Sequence, residues 1–214
     1  MSDVHGGWTT TSSREIYSNP WIAVREDAVV RPDGGEGIYG VVAMQHPSVF
    51  VVALADDGAV LMVLLYRYAT RGMSLEVPAG GCDGDDPLAA ARRELLEETG
   101  FVASEWREIG RMNALNGVCV APEFVYLATG LTRGGADAEP AGGVGALSDD
   151  GTGAQKQETA SATVDVEAEQ AAEGIDAVRF VPWHEAMSLV RDGTISDGET
   201  VAALMYAALA TGRI

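Results

Sequence analysis

The stretch from Asp86 to Gly100 constrains this chain more than any other. Asp86 is a good N-cap, Pro87 suits the first helical position, and Gly100 stands where a helix C-terminus favours φ > 0. These signals bracket a helix over Pro87–Thr99. On it Glu94, Glu97 and Glu98 fall at i, i+3 and i+4, within about 100° of one face. Leu88, Ala91, Leu95 and Thr99 form a neighbouring, less polar face that can pack inward. Like charges at these spacings cost about a few tenths of a kcal/mol per pair. The trio is therefore either a solvated acidic face, relieved by Arg92 and Arg93, or a site for a hard cation. Magnesium takes oxygen ligands, usually a few carboxylates plus the phosphates of its substrate. A carboxylate cluster loaded with such ions can bind a diphosphate despite its own negative charge.

Around this helix the chain mixes strand and helix signals. Ile22–Val30 alternates loosely until Pro32-Asp33-Gly34-Gly35 breaks it, and Val41–Met44 and Val49–Leu54 are β-branched and apolar. Ala59–Tyr66 follows Asp56-Asp57-Gly58 as a continuous apolar run, the pattern of a hairpin whose second strand is buried on both faces. Phe124–Ala128 and Ala177–Val181 read as strands; Trp183–Arg191 and Gly198–Ala210, the latter behind Asp197 as N-cap, read as helices. Strands and helices without a strict βαβ rhythm point to an α+β fold, an α/β/α sandwich rather than a doubly wound sheet.

The 214 residues carry 32 acidic and 14 basic side chains, a formal charge of −18. Such a field repels phosphate backbones and anionic lipid, which argues against nucleic-acid and membrane partners. Nearly half of the charge lies between Gly134 and Gly174, where nine carboxylates face one lysine, Lys156, with no aromatic residue and one leucine, Leu147. So little apolar surface cannot offset ordering entropy, and residues 134–172 are expected to be a disordered acidic insert. Cys82 and Cys119 have no metal-ligand spacing and are expected as free thiols. Met1–Thr11 lacks an apolar signal-like run, and the apolar stretches are far short of the ~20 residues of a membrane helix. The expectation is a cytoplasmic protein.

Arg93-Glu94-Leu95-Leu96-Glu97-Glu98-Thr99-Gly100-Phe101 resembles the core of the Nudix hydrolase signature, Arg-Glu-apolar-x-Glu-Glu-x-Gly-apolar, at every specified position. Upstream the match loosens: Asp85 stands at the signature's glutamate, and Gly80 precedes it by four intervening residues rather than five. Leu75-Glu76-Val77-Pro78-Ala79-Gly80, with Tyr66-Arg67-Tyr68 before it, is similar to the strand and loop leading into the box in ADP-ribose pyrophosphatases. So are Tyr17-Ser18-Asn19-Pro20-Trp21-Ile22, Leu115-Asn116-Gly117-Val118 with Pro122-Glu123, and the run from Asp176 to Ile214.

The resemblance implies a Nudix-type α/β/α sandwich with a mixed sheet. Its domain plan is a flexible N-terminus over 1–13, a strand-rich dimerisation segment over 14–42, and a Nudix domain over 43–214. It implies hydrolysis of a nucleoside diphosphate linked to another group, with ADP-ribose giving AMP and ribose 5-phosphate as the leading candidate. Glu94 and Glu98 would be metal ligands for Mg2+, or Mn2+ in its place, with Glu97 a ligand or close partner and the Ala79 carbonyl completing the sphere. Arg93 would orient these carboxylates by charge-assisted hydrogen bonds, or be no more than a surface ion pair.

Arg67 is a candidate for holding a phosphate, against a solvated strand-end arginine. Trp21 is a candidate for stacking on adenine, against a core or interface tryptophan. Glu76 and Glu123 are substrate-side acids or satisfied polar groups near the site. In similar pyrophosphatases a late-loop glutamate helps activate water or bind metal. Ungapped counting back from Pro182 puts its place at Gly174, one residue from Glu173, which is the candidate here. His5, His46 and His184 show no triad or metal spacing, and nothing provides a nucleophile for covalent catalysis. The resemblance also implies a homodimer. The competing readings are a Nudix hydrolase of another nucleotide sugar or dinucleotide coenzyme, and a Nudix-like module that senses a nucleotide without cleaving it. The intact glutamate trio argues against the sensor.

Overall fold

The computed structural model describes residues 3–134 and 164–214. The elements run β1 (Asp3–His5), β2 (Trp8–Ser18), β3 (Ile22–Val30), β4 (Glu36–Met44), β5 (Ser48–Leu54), β6 (Val60–Arg67), β7 (Gly72–Glu76) and β8 (Ala79–Gly81). Then follow α1 (Pro87–Thr99), β9 (Phe101–Asn113), β10 (Cys119–Val120), β11 (Pro122–Arg133), α2 (Val166–Glu173), β12 (Ile175–Val181), α3 (Trp183–Asp192) and α4 (Gly198–Thr211).

Two sheets form. The N-terminal one has the order β1-β2-β3-β4-β10, antiparallel except where β10 lies parallel to β4. The second follows β12-β6-β5-β11-β9, with β7 paired to β6 and β8 to β5. It is mixed, because β11 runs parallel to β5 while its other pairs are antiparallel.

β5 lies at the centre, buried on both faces as its unbroken apolar run requires. Its alternate residues serve two cores. Val49, Val51 and Ala53 pack against Ala90, Ala91 and Leu95 of α1. Phe50, Val52 and Leu54 pack against Ala186 of α3 and Ala203, Leu204 and Ala207 of α4. The result is the α/β/α sandwich and α+β class expected from the sequence. The β5–β6 hairpin forms as read, with Val60–Val63 buried.

Two expectations are corrected. Residues 3–13 are not a loose end, because Asp3–His5 turns at Gly6-Gly7 and pairs with the start of β2, whose Thr9–Ser13 pairs with β3. Gly6 and Gly7 take φ of 56° and 84°, which the tight turn needs and glycine supplies without strain. The acidic insert is ordered at its C-terminal end, where Val166–Glu173 is helical. Asp165 caps it by accepting from the Ala168 N–H, and Gly174 closes it at φ 73°. Ala, Glu and Gln are strong helix formers, so low hydrophobicity alone was a poor guide here. Residues 135–163 of the insert lie outside the described residues. Among the described residues, no helix is long and apolar enough to cross a membrane.

Candidate active site

α1 starts and stops where its caps dictate. The Asp86 carboxylate accepts from the N–H groups of Leu88 and Ala89, and the Gly100 N–H closes on the Leu96 carbonyl. Burying Ala90, Ala91 and Leu95 against β5 fixes the helix rotation, and that rotation carries Glu94 and Glu98 inward to the β8 edge. Both are buried, at 3% and 2% exposure, which excludes a solvated acidic face. The Ala79 N–H donates to Glu98 Oε2 at 3.0 Å. Ala79, whose carbonyl is expected from the sequence to complete a metal sphere, thus also engages Glu98 through its amide. Gly80 lies so close to Glu94 that a Cβ there would overlap the carboxylate.

Arg93 holds the cluster from the side. Its Nη2 donates to the Gly81 carbonyl at 2.8 Å and lies 2.9 Å from Glu94 Oε1, while Nη1 lies 2.8 Å from Glu97 Oε2. Glu97 is therefore an Arg93 partner, more open than its two neighbours. Asp85 is exposed in the turn where its N–H bonds the Cys82 carbonyl.

The third carboxylate arrives from α2. Glu173, its last residue, has an oxygen within 4.8 Å of oxygens of Glu94 and Glu98, although 75 residues or more separate them in sequence. The glutamate expected on a loop sits on a helix end, and it reaches the site from there. Gln170 Nε2, one turn earlier, donates to the Glu98 carbonyl at 2.8 Å. No sequence motif marked Gln170; its spacing of three from Glu173 was the only available signal.

This concentration of charge is unfavourable by itself. Burial pushes Glu94 up to about 7, with Glu173 and Glu97 adding to the rise and Arg93 opposing it. Burial likewise drives Glu98 well above the usual carboxylate range, reinforced by Glu173 and Glu94 and opposed by the Ala79 N–H. Two buried carboxylates and one exposed, converging on one point, are a donor set suited to a hard divalent cation. Such an ion would supply the charge that Arg93 only partly provides.

A cleft of about 260 Å³ adjoins the cluster, lined in part by Trp21, His46, Ser48, Arg67, Ala79 and Gly81. Trp21 is 70% exposed at the β2–β3 turn. The Asn19 carboxamide accepts from the N–H groups of Trp21 and Ile22, and the Trp21 carbonyl accepts from Gln45 N–H, so the backbone of this turn is fixed, and the indole lines the cleft rather than folding into a core. Arg67 and Glu76, read separately from sequence, form one ion pair at 2.5 Å, with Glu76 buried and Arg67 partly exposed. Glu123 is buried at the start of β11, and among the described residues its Oε2 has no hydrogen-bond partner. Burial, with Glu199 and Asp197 of the α4 start nearby, pushes it up to about 7.

Residues 8–42 match the family model described as the nucleoside diphosphate sugar hydrolase N-terminal domain, and residues 44–141 match the NUDIX domain. An ADP-ribose pyrophosphatase of Mycobacterium tuberculosis is 37% identical over 59% of this chain and 61% of its own length. A GDP-mannose pyrophosphatase of Yersinia pestis is 30% identical over 71% of this chain and 65% of its own length. The chain thus spans less than two thirds of the length of these relatives. A solved structure of an ADP compounds hydrolase superposes with a TM-score of 0.72 at 18% identity, covering 100% of both chains, a likeness of fold.

Proposed function

Because the chain belongs to the Nudix family, we propose that it hydrolyses the diphosphate bond of a nucleoside diphosphate linked to a second group. ADP-ribose, cleaved to AMP and ribose 5-phosphate, is the preferred substrate, and Mg2+, or Mn2+ in its place, the ion. The observation that carries this reading is the convergence of Glu94, Glu98 and Glu173 beside an open cleft.

A divalent cation held by these carboxylates supplies positive charge to the diphosphate and to the departing phosphate. The chain's residues do the rest. Glu94 and Glu98 hold the ion, their orientation set by the Arg93 guanidinium and the Ala79 amide. Glu97 acts through Arg93, keeping the guanidinium in line. Glu173, the exposed member, accepts the proton of the attacking water as its oxygen bonds to phosphorus and the bond to the bridging oxygen breaks. Trp21 offers an aromatic face for the base, and Arg67, steered by Glu76, faces the phosphates. Glu123, in register with Ser48 of the cleft wall and close to the α4 start, is kept as a substrate-side acid.

A GDP-sugar substrate is the second reading, favoured by the longer match to the GDP-mannose pyrophosphatase. The test is a panel of ADP-ribose, GDP-mannose, other nucleotide sugars and dinucleotide coenzymes, assayed with Mg2+ and again with EDTA. ADP-ribose turnover that EDTA abolishes is expected. Turnover of GDP-mannose alone would select the second reading, and no hydrolysis of any member would overturn both.

A further inference from the structure

Val166, Gln170 and Glu173 stand at i, i+4 and i+7 of α2 and so form one stripe along it. Each meets the C-terminal half of α1 or the Gly100 cap that closes it. Val166 packs on Gly100, its Cγ1 3.5 Å from where a Cβ would stand; Gln170 bonds the Glu98 carbonyl; Glu173 reaches the Glu94 and Glu98 carboxylates. Yet α2 buries none of its residues, so apolar packing does little to fix where it sits.

The Gln170 contact is of a different kind. The last four carbonyls of a helix have no partner within it, and the Glu98 carbonyl is one of them. The Gln170 amide satisfies it at 2.8 Å and ties α2 to the same residue whose carboxylate faces Glu173. One residue of slippage along a helix is about 1.5 Å of rise with about 100° of rotation, which turns Glu173 away from the point on which the three carboxylates converge.

We infer that Gln170 is a positioning residue: its amide sets the register of α2 on α1 and thereby the placement of the Glu173 carboxylate beside Glu94 and Glu98. The inference rests on the proposed role of Glu173, which needs its own control. Losing the amide leaves Glu173 chemically intact but misplaced. Substrate contacts in the Trp21–Arg67 cleft stay as they were, so the effect falls on kcat rather than KM.

The test compares wild type with Gln170→Met, which keeps length and helix propensity without a donor, Gln170→Glu, which keeps shape without a donor, and Glu173→Gln. kcat and KM are measured beside thermal unfolding and amide hydrogen exchange across α2, the last with and without Mg2+. Both Gln170 variants are expected to lose about tenfold in kcat, in the range seen for partners of metal ligands. Their KM and melting temperature should match wild type, and the α2 amides should exchange faster. Unchanged kcat in Gln170→Met, or a change confined to KM, overturns the inference even if Glu173→Gln is impaired. Normal turnover in Glu173→Gln instead removes the role of Glu173 on which the inference stands.

Discussion

At the scale of single residues, Glu94 shows how burial and function pull against each other. An ordinary glutamate loses its proton near 4.5, but this one is held to about 7, first by burial and then by Glu173 and Glu97. The folded protein therefore keeps a proton that the unfolded chain releases between those values. That contribution to stability is complete below about 4.5 and is lost as pH rises through about 7, reaching on the order of 3 kcal/mol. Glu123, also raised to about 7, acts in the same direction. In EDTA the melting temperature should fall from pH 5 to pH 8, and the gain on adding Mg2+ should be larger at pH 8, where the ion meets ionised carboxylates. A flat profile in EDTA, or a Mg2+ gain that shrinks with rising pH, would contradict this account.

Elements differ in how much of them could be read in advance, and the reason is range. α1 was legible because its signals are local: Asp86, Pro87 and Gly100 specify its ends, and the spacing of Glu94 and Glu98 specifies a shared face. Their burial was not legible, since it depends on β8 folding back along β5 and bringing Ala79 and Gly80 against them. The Arg67–Glu76 pair likewise needs the β6–β7 pairing before either residue has a partner. α2 escaped the reading because its polar composition looked like the insert before it, while its one organised stripe, Val166, Gln170 and Glu173, acquires meaning only against α1. The N-terminal sheet raises a question that its own strands leave open. Ile38 is 73% exposed, and Ile16 and Tyr17 are also exposed on β2. Apolar side chains so placed suit a second copy of the chain, and the homodimer we propose here would cover them. Light scattering at micromolar concentration should give twice the chain mass, and Ile38→Asp should shift it toward monomer. A monomeric wild type at that concentration would refute the dimer.

For the whole molecule, the sandwich brings together groups that no single segment contains. β5 sets the rotation of α1 on one face and supports α4 on the other. β8 supplies the amide that holds Glu98, α2 supplies Glu173, and the β2–β3 turn hangs Trp21 over the adjoining cleft. The net charge of −18 is compatible with a diphosphate substrate only if the carboxylates nearest it are neutralised, as a divalent ion held by them would do. The most direct test is Glu98→Gln, a change of one atom in a residue whose carboxyl burial raises well above the usual range, so the melting temperature in EDTA should stay near that of wild type. With saturating ADP-ribose and Mg2+, kcat should drop at least ~100-fold, as when one preorganised electrostatic stabiliser is removed elsewhere; turnover near wild type would contradict the assignment of this glutamate cluster as the catalytic centre.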